Sequence, residues 1–355
     1  MTRDKLFPTS VVGSMPRPAH VRDLVMGRRD LSADEYEKQM AEAVRSIVEM
    51  QERAGLDVVT DGEWRRRSYI GVIAELAHGF ELSTNPADGR AWTVVVDRLA
   101  PKDSGFIARE IEFLRGITDR QIKATLPSPA LLGERMWDAS ASAQAYPKRQ
   151  DFVRACVPLL HDEIERVRDA GADIIQIDDP HLCLFVDADV RAALDDPVAA
   201  SDFAVDVVNE MVAGVEGVKL AVHLCRRAGA RVRGEAQHAG GYGLIQEQLN
   251  RLAVQHITME FTDPDSCDTA IFGKLREDFE IGLGCVGVTP GVVDTPETIV
   301  ARVRAALEHL DPSRITLNPD CGFAPGAGAE VSLEEVYVKI SNEVAAARTL
   351  REEFA

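Results

Sequence analysis

His223 and Cys225 close an apolar run, Val218-Lys219-Leu220-Ala221-Val222, near the middle of a 355-residue chain. Residues two apart on an extended chain face the same way, so this imidazole and thiol reach one point from the mouth of a strand. Both are zinc ligands. Glu260 ends a second apolar run, His256-Ile257-Thr258-Met259, and Cys321 follows a third, Ile315-Thr316-Leu317-Asn318-Pro319-Asp320. A single His or Cys beside a strand usually packs or lies on the surface, and free Cys behaves as a small hydrophobe. Four such ligands at three strand ends point instead to one metal site at one end of a barrel.

The ligand types constrain the chemistry. Two thiolates and a carboxylate set three negative charges against the two of zinc. A His-rich site activates water, whereas so electron-rich a centre suits an incoming thiol, held as thiolate and still nucleophilic. Glu260 is the hardest ligand and the one expected to yield. The reaction implied is alkylation of a thiol. A closed structural site would use similar ligands, but donors drawn from distant strand mouths favour catalysis.

Positioning these residues requires a repeating strand–helix frame. Apolar runs at 6–13, 56–60, 121–125, 173–177, 218–222, 256–259, 280–283 and 314–317 read as eight short strands. Ser32-Ala33-Asp34-Glu35 has capping-box spacing and predicts a helix to about Ala54, stopped by Gly55. Helices are also expected over 65–78, 149–170, 197–214 and 242–253, from Thr295-Pro296 to about 310, and after a second capping box at Ser332. The pattern predicts an α/β chain folded as a single (β/α)8 TIM barrel over residues 1–355, with a small β-containing excursion near 80–118 around Trp92 to Val96. A doubly wound sheet is the rival, but no Gly-x-Gly-x-x-Gly follows the first strand. In a barrel, residues after strand ends gather on the C-terminal face. Those here are Gly13-Ser14, Glu63, Asp178-Asp179, His223, Cys225, Glu260 and Cys321.

Composition narrows the partners. A net charge of −18 argues against nucleic acid or an anionic membrane as partner, since both need a basic face. No apolar stretch is long enough to span a bilayer, and Met1-Thr2-Arg3-Asp4-Lys5 is not a signal sequence. The 6 scattered cysteines fit reduced thiols in the cytoplasm. Small molecules are therefore the expected partners, a thiol and an alkyl or methyl donor; a homo-oligomer is compatible with this.

Several segments resemble the catalytic barrel of the cobalamin-independent methionine synthases. They are Val12-Gly13-Ser14-Met15-Pro16-Arg17-Pro18, Asp57-Val58-Val59-Thr60-Asp61-Gly62-Glu63, and Ile175-Gln176-Ile177-Asp178-Asp179-Pro180. His223-Leu224-Cys225 and Asn318-Pro319-Asp320-Cys321-Gly322 are similar to the family's zinc motifs. The resemblance implies the barrel type shared with uroporphyrinogen decarboxylases, a Zn²⁺ ion on His223, Cys225, Glu260 and Cys321, and methyl transfer to homocysteine or a related thiol. It implies that Gly13, Ser14, Glu63 and Asp178 hold the amino-acid substrate, so that Asp178→Asn would weaken thiol binding while leaving zinc in place. Asp179, His181 and Asp294 are the candidates for catalytic work. Asp179 stands where the synthase has Glu, and if the reaction opens an epoxide, His181 or His256 can serve as proton donor to the alkoxide. At 355 residues the sequence is expected to hold one barrel, too short for the synthase's second, N-terminal one. Gly291-Val292-Val293-Asp294 runs into Thr295-Pro296 without the family's following His, and Arg226, Arg227, Arg231 and Arg233 enrich the loop after Cys225. These departures keep open a zinc-dependent epoxyalkane–coenzyme M-type thiol alkyltransferase, in which arginines take an anionic tail.

Overall fold

Short strands of Ile, Val and Leu, buried along almost their whole length, build the centre of the molecule. The computed structural model describes residues 5–84, 91–103, 105–226, 240–262, 268–324 and 331–354. In chain order the strands are β1 (Val58–Val59), β2 (Ala77–Thr84), β3 (Ala91–Pro101), β4 (Gln121–Pro127), β5 (Ile174–Asp178), β6 (Lys219–Leu224), β7 (His256–Glu260), β8 (Glu280–Val286) and β9 (Ile315–Pro319). Seven of them form one curled sheet in the order β1-β4-β5-β6-β7-β8-β9, every pair parallel. A parallel sheet needs its faces covered, which explains why these strands read as continuous apolar runs. Connecting helices supply the cover, among them Ala33–Ala54, Arg149–Asp169, Pro197–Val212, Pro296–Leu307 and Leu333–Glu353. None of the described helices is long and apolar enough to cross a membrane.

Residues 8–10 lie between the two edges of this sheet. Leu317 N donates to Pro8 O at 2.8 Å and Ser10 N to Leu317 O at 3.1 Å; on the other side Asp57 N and Val58 N both donate to Thr9 O at 3.1 Å. The first expected strand, 6–13, is thus reduced to a single parallel bridge, Thr9 with Leu317.

Local signals hold at several termini. Ser32 accepts from Glu35 N and Glu35 from Ser32 N, and that helix stops at Gly55. Thr295 and Ser332 cap their helices. The helix expected at 65–78 is instead a series of turns ending in a single helical turn, Ile73–Leu76, followed directly by β2. Its amides are taken locally: Gly71 N donates to Ser68 Oγ at 3.2 Å. The helix expected at 242–253 is a 3₁₀ turn, Tyr242–Ile245, and a short helix, Gln246–Arg251. The β excursion is an antiparallel hairpin of β2 and β3, followed by the helix Phe106–Arg115.

One buried side chain fixes the loop that will carry Glu63. Gln51, wholly buried on the long second helix, donates from Nε2 to Ile47 O and Thr60 O, and accepts from Thr60 N at 3.0 Å. Both backbone groups of Thr60, at the end of β1, depend on it. Gln51→Leu is expected to cost about 2–4 kcal/mol, because two buried polar groups lose their partner. Denaturant unfolding measures this, and a change below about 0.5 kcal/mol would contradict the account.

Candidate active site

Parallel register brings the chemistry together. Asp178 at the end of β5 is paired with His223 near the end of β6. Cys225 follows β6, and Cys321 follows β9. The ligand atoms of His223, Cys225 and Cys321 all lie within 4.8 Å of one another, and the two Sγ atoms are 3.3 Å apart. His223 Nδ1 lies 3.0 Å from Asp178 Oδ1. A carboxylate can only accept, so Nδ1 carries the hydrogen and Nε2 keeps its lone pair. That Nε2 is buried, with no hydrogen-bond partner among the described residues.

An orphaned imidazole nitrogen beside two thiols is a donor set for a soft or borderline divalent cation. Tetrahedral zinc at normal bond lengths separates its ligand atoms by roughly 3.3–3.8 Å, close to the size of this cluster. The residues present fit zinc, and the Asp178 contact is the outer partner that metal-bound histidines usually have. Asp178 Oδ1 is itself held by Gln176 Nε2 at 2.8 Å, which also donates to Val12 O. Asp178 therefore orients His223 as well as facing the pocket, so Asp178→Asn is expected to disturb both. Glu260, at the end of β7, is buried but stands apart from the three clustered ligand atoms; its Oε1 accepts from Arg226 N at 2.9 Å.

A small pocket of about 50 Å³ opens over the cluster. Val12, Ser14, Glu63, Tyr69, Asp178, Pro180 and Gly322 line it, together with His223, Cys225 and Cys321. Three of the four expected substrate residues thus share one pocket with the His223–Cys225–Cys321 cluster. The fourth, Gly13, acts by being small: a Cβ there would sit 2.8 Å from Glu63 Oε1. At Gly322 a Cβ would meet Ser14 Oγ at 2.2 Å, so a larger residue there would displace the Ser14 hydroxyl. Glu63 adopts a left-handed backbone, φ 59°, unusual for a residue with a side chain. Burial pushes its carboxyl pKa up, and the Arg66 guanidinium opposes this.

The remaining candidates lie outside the pocket wall. Asp179 is wholly buried; its Oδ1 accepts from Leu182 N at 3.1 Å, and burial raises its pKa. His181 Nδ1 lies 2.9 Å from Glu134 Oε2. Asp294 binds Gly287 N at 2.7 Å and Arg302 Nη1 at 2.8 Å; burial would raise its pKa, but these contacts hold it below the ordinary value. His256 Nε2 lies 2.8 Å from Thr316 Oγ1, and burial keeps the imidazole neutral. Of the four loop arginines, Arg226 is buried over the Tyr242 ring, while Arg227, Arg231 and Arg233 lie outside the described residues.

Sequence reasoning missed Tyr69, Arg66 and Asp320. Asp320 Oδ1 accepts from Phe261 N and Thr262 N at 2.9 and 3.2 Å, tying the strand end before Cys321 to the one after Glu260. Its place beside Cys321 was the available signal. Arg66 sits in Arg65-Arg66-Arg67, a run that reads as solvated surface, and Tyr69 follows it with no signal of its own.

The curled parallel sheet, with its polar residues collected at the strand ends, has close counterparts. The chain belongs to the cobalamin-independent methionine synthase family, a family of methyltransferases: the model of the cobalamin-independent synthase catalytic domain matches residues 7–349. It is similar to the methionine synthases of Saccharolobus islandicus and Saccharolobus solfataricus, 28% identical over 363 and 364 residues, with 99% of this chain and 97% of each relative covered. Among solved structures it resembles a B12-independent methionine synthase from Shewanella sp. in complex with selenomethionine, with TM-score 0.80, 21% identity, 98% of this chain and 99% of that one covered. A putative vitamin-B12 independent methionine synthase from Listeria monocytogenes follows, with TM-score 0.74, 22% identity and the same coverage. The structural likenesses show a shared fold.

Proposed function

We propose that this chain transfers a methyl group to the sulfur of homocysteine or a closely related amino-acid thiol, with zinc as its metal. The observation that carries the reading is the bare, buried Nε2 of His223 beside the Cys225 and Cys321 thiols, in one pocket with Ser14, Glu63 and Asp178. His223, Cys225 and Cys321 would hold the metal, with Glu260 as fourth ligand. Zinc, when bound, supplies the positive charge that keeps a substrate thiol deprotonated at neutral pH.

The protein's own residues do the rest. Glu63 and Asp178 accept the substrate's ammonium group. The Gly13-Ser14 segment holds its carboxylate. Gln176 and Asp178 keep the His223 ring in the tautomer that leaves Nε2 bare. Asp179, which caps the turn at Leu182, and Asp294, which pins the loop after β8, act by positioning; His181 is left as the candidate proton donor. Residues 8–10, bonded to both sheet edges, take the place of the eighth strand in a (β/α)8 barrel spanning the chain. The partners are small molecules, a thiol and a methyl donor of folate or corrinoid type, and the compartment is the cytoplasm.

The rival reading, epoxide opening by a sulfonated thiol, has less support. The pocket wall carries Glu63 and Asp178, which suit an ammonium group and would repel a second anion. The test is an assay of zinc-loaded protein with homocysteine or mercaptoethanesulfonate, against methyl-folate, methyl-corrinoid and epoxide donors. Methionine formation is the expected result. Turnover of the sulfonated thiol alone would overturn the assignment.

A further inference from the structure

Behind Glu63, on the side away from the pocket, lies a chain of buried polar groups that metal binding does not explain. Arg66 is 3% exposed, Glu110 2% and Thr125 2%. Glu110 takes the Arg66 guanidinium in bidentate fashion, with Nε at 3.1 and 3.2 Å from its two oxygens and Nη2 at 2.7 Å. That grip fixes the plane of the guanidinium. The remaining nitrogen, Nη1, donates to both the carbonyl and the hydroxyl oxygen of Thr125, each at 2.9 Å. Thr125 Oγ1 lies 2.8 Å from Glu63 Oε1. A hydroxyl has a single hydrogen. Because Arg66 already donates to Thr125 Oγ1, that hydrogen is directed to the Glu63 carboxylate. Arg66 Nη1 is itself 4.0 Å from the same Glu63 oxygen.

From this geometry we infer that Thr125, oriented by the Arg66–Glu110 pair, is a positioning residue that fixes the Glu63 carboxylate as an acceptor for the substrate ammonium, and so sets the preference for thiols bearing an α-amino group. The inference rests on the proposed role of Glu63. Its physical logic is a division of labour. The Thr125 hydroxyl engages one Glu63 oxygen from behind. The Arg66 charge opposes the effect of burial, which would otherwise favour a neutral carboxyl unable to bind a cation. The absent side chain at Gly13 leaves room for the carboxylate in this position, where a Cβ would sit 2.8 Å from Glu63 Oε1.

Arg66 is unsuited to a direct test, since removing it strands Glu110 as a buried unpaired charge and threatens the fold. Thr125→Val deletes the hydroxyl while keeping shape and the backbone contact to Arg66. Thr125→Ser restores the hydroxyl. Binding of homocysteine and of its deaminated analogue, mercaptobutanoate, to the zinc-loaded full-length proteins is measured by calorimetry, with zinc content determined in each. Thr125→Val is expected to weaken homocysteine binding by about tenfold or more, to change mercaptobutanoate binding by less than about twofold, and to leave zinc content unchanged. Thr125→Ser is expected to recover most of the loss. Equal losses for both thiols, or no loss for either, would overturn the positioning role. A wild-type protein without preference between the two thiols would instead overturn the ammonium site itself, and the two failures are read from different arms of the experiment.

Discussion

Cys225→Ser and Cys321→Ser are each expected to abolish stoichiometric zinc binding and, with it, thiol alkylation. Loss of an outer-sphere partner already costs about 10–100-fold in metal affinity, and removal of a direct thiolate ligand should exceed that. The fold should survive. Serine is close in size to cysteine, and the His223–Asp178–Gln176 chain that orders this end of the sheet does not depend on either sulfur. Metal analysis after dialysis against a weak chelator, with circular dichroism as a control, provides the check. Full zinc occupancy in both variants would remove these residues from the metal site. Asp178→Asn should fall between, losing zinc affinity and thiol binding together, because one carboxylate oxygen serves His223 while the side chain also faces the pocket.

The second large effect belongs to Glu63. Glu63→Gln keeps the shape of the side chain and removes the charge that would meet the substrate ammonium. Homocysteine binding is expected to weaken by about 10–100-fold, the worth of a buried charge-assisted contact, with zinc retained. The wild-type pH dependence follows from the same group. Burial raises the Glu63 pKa above its ordinary 4.5. The ionised form binds the cation, so affinity is present above that raised value and lost as pH falls through it. The decline should begin at a higher pH than an exposed glutamate would give; thiolate formation makes binding of both thiols pH-dependent, and the additional Glu63 component should be missing for mercaptobutanoate. Titration calorimetry across the mildly acidic range tests this in the wild type and in Glu63→Gln. The same decline in the Gln variant would assign the titration to another group.

Much of this site was legible in one dimension because strand geometry is local. His223 and Cys225 share a face by the two-residue period alone, and the polar residues that end each apolar run collect wherever parallel strands are wound side by side. The capping boxes at Ser32 and Ser332 need only nearby backbone, and those helices begin where expected. Composition and residue type also narrowed the chemistry, since two cysteines, a histidine and a carboxylate favour a soft metal over water activation whatever the surrounding fold.

Tertiary structure decided what distance along the chain conceals. Arg66 reads as one of three surface arginines, yet it is buried because Glu110, on the helix Phe106–Arg115, and Thr125, on β4, converge on it. The helix expected at 65–78 is reduced to the turn Ile73–Leu76, because Arg66 and Tyr69 ahead of it are drawn into the buried ion pair and the pocket wall. By sequence alone Asp178 belongs with the substrate, and Asp179, His181 and Asp294 are catalytic candidates. Strand register turned Asp178 towards His223 and the pocket, while Asp179, His181 and Asp294 found partners elsewhere. Periodicity sets which way a side chain leaves its own strand. Which carboxylates share a pocket with the His–Cys cluster depends on the stagger between neighbouring strands, and long-range packing alone fixes that stagger.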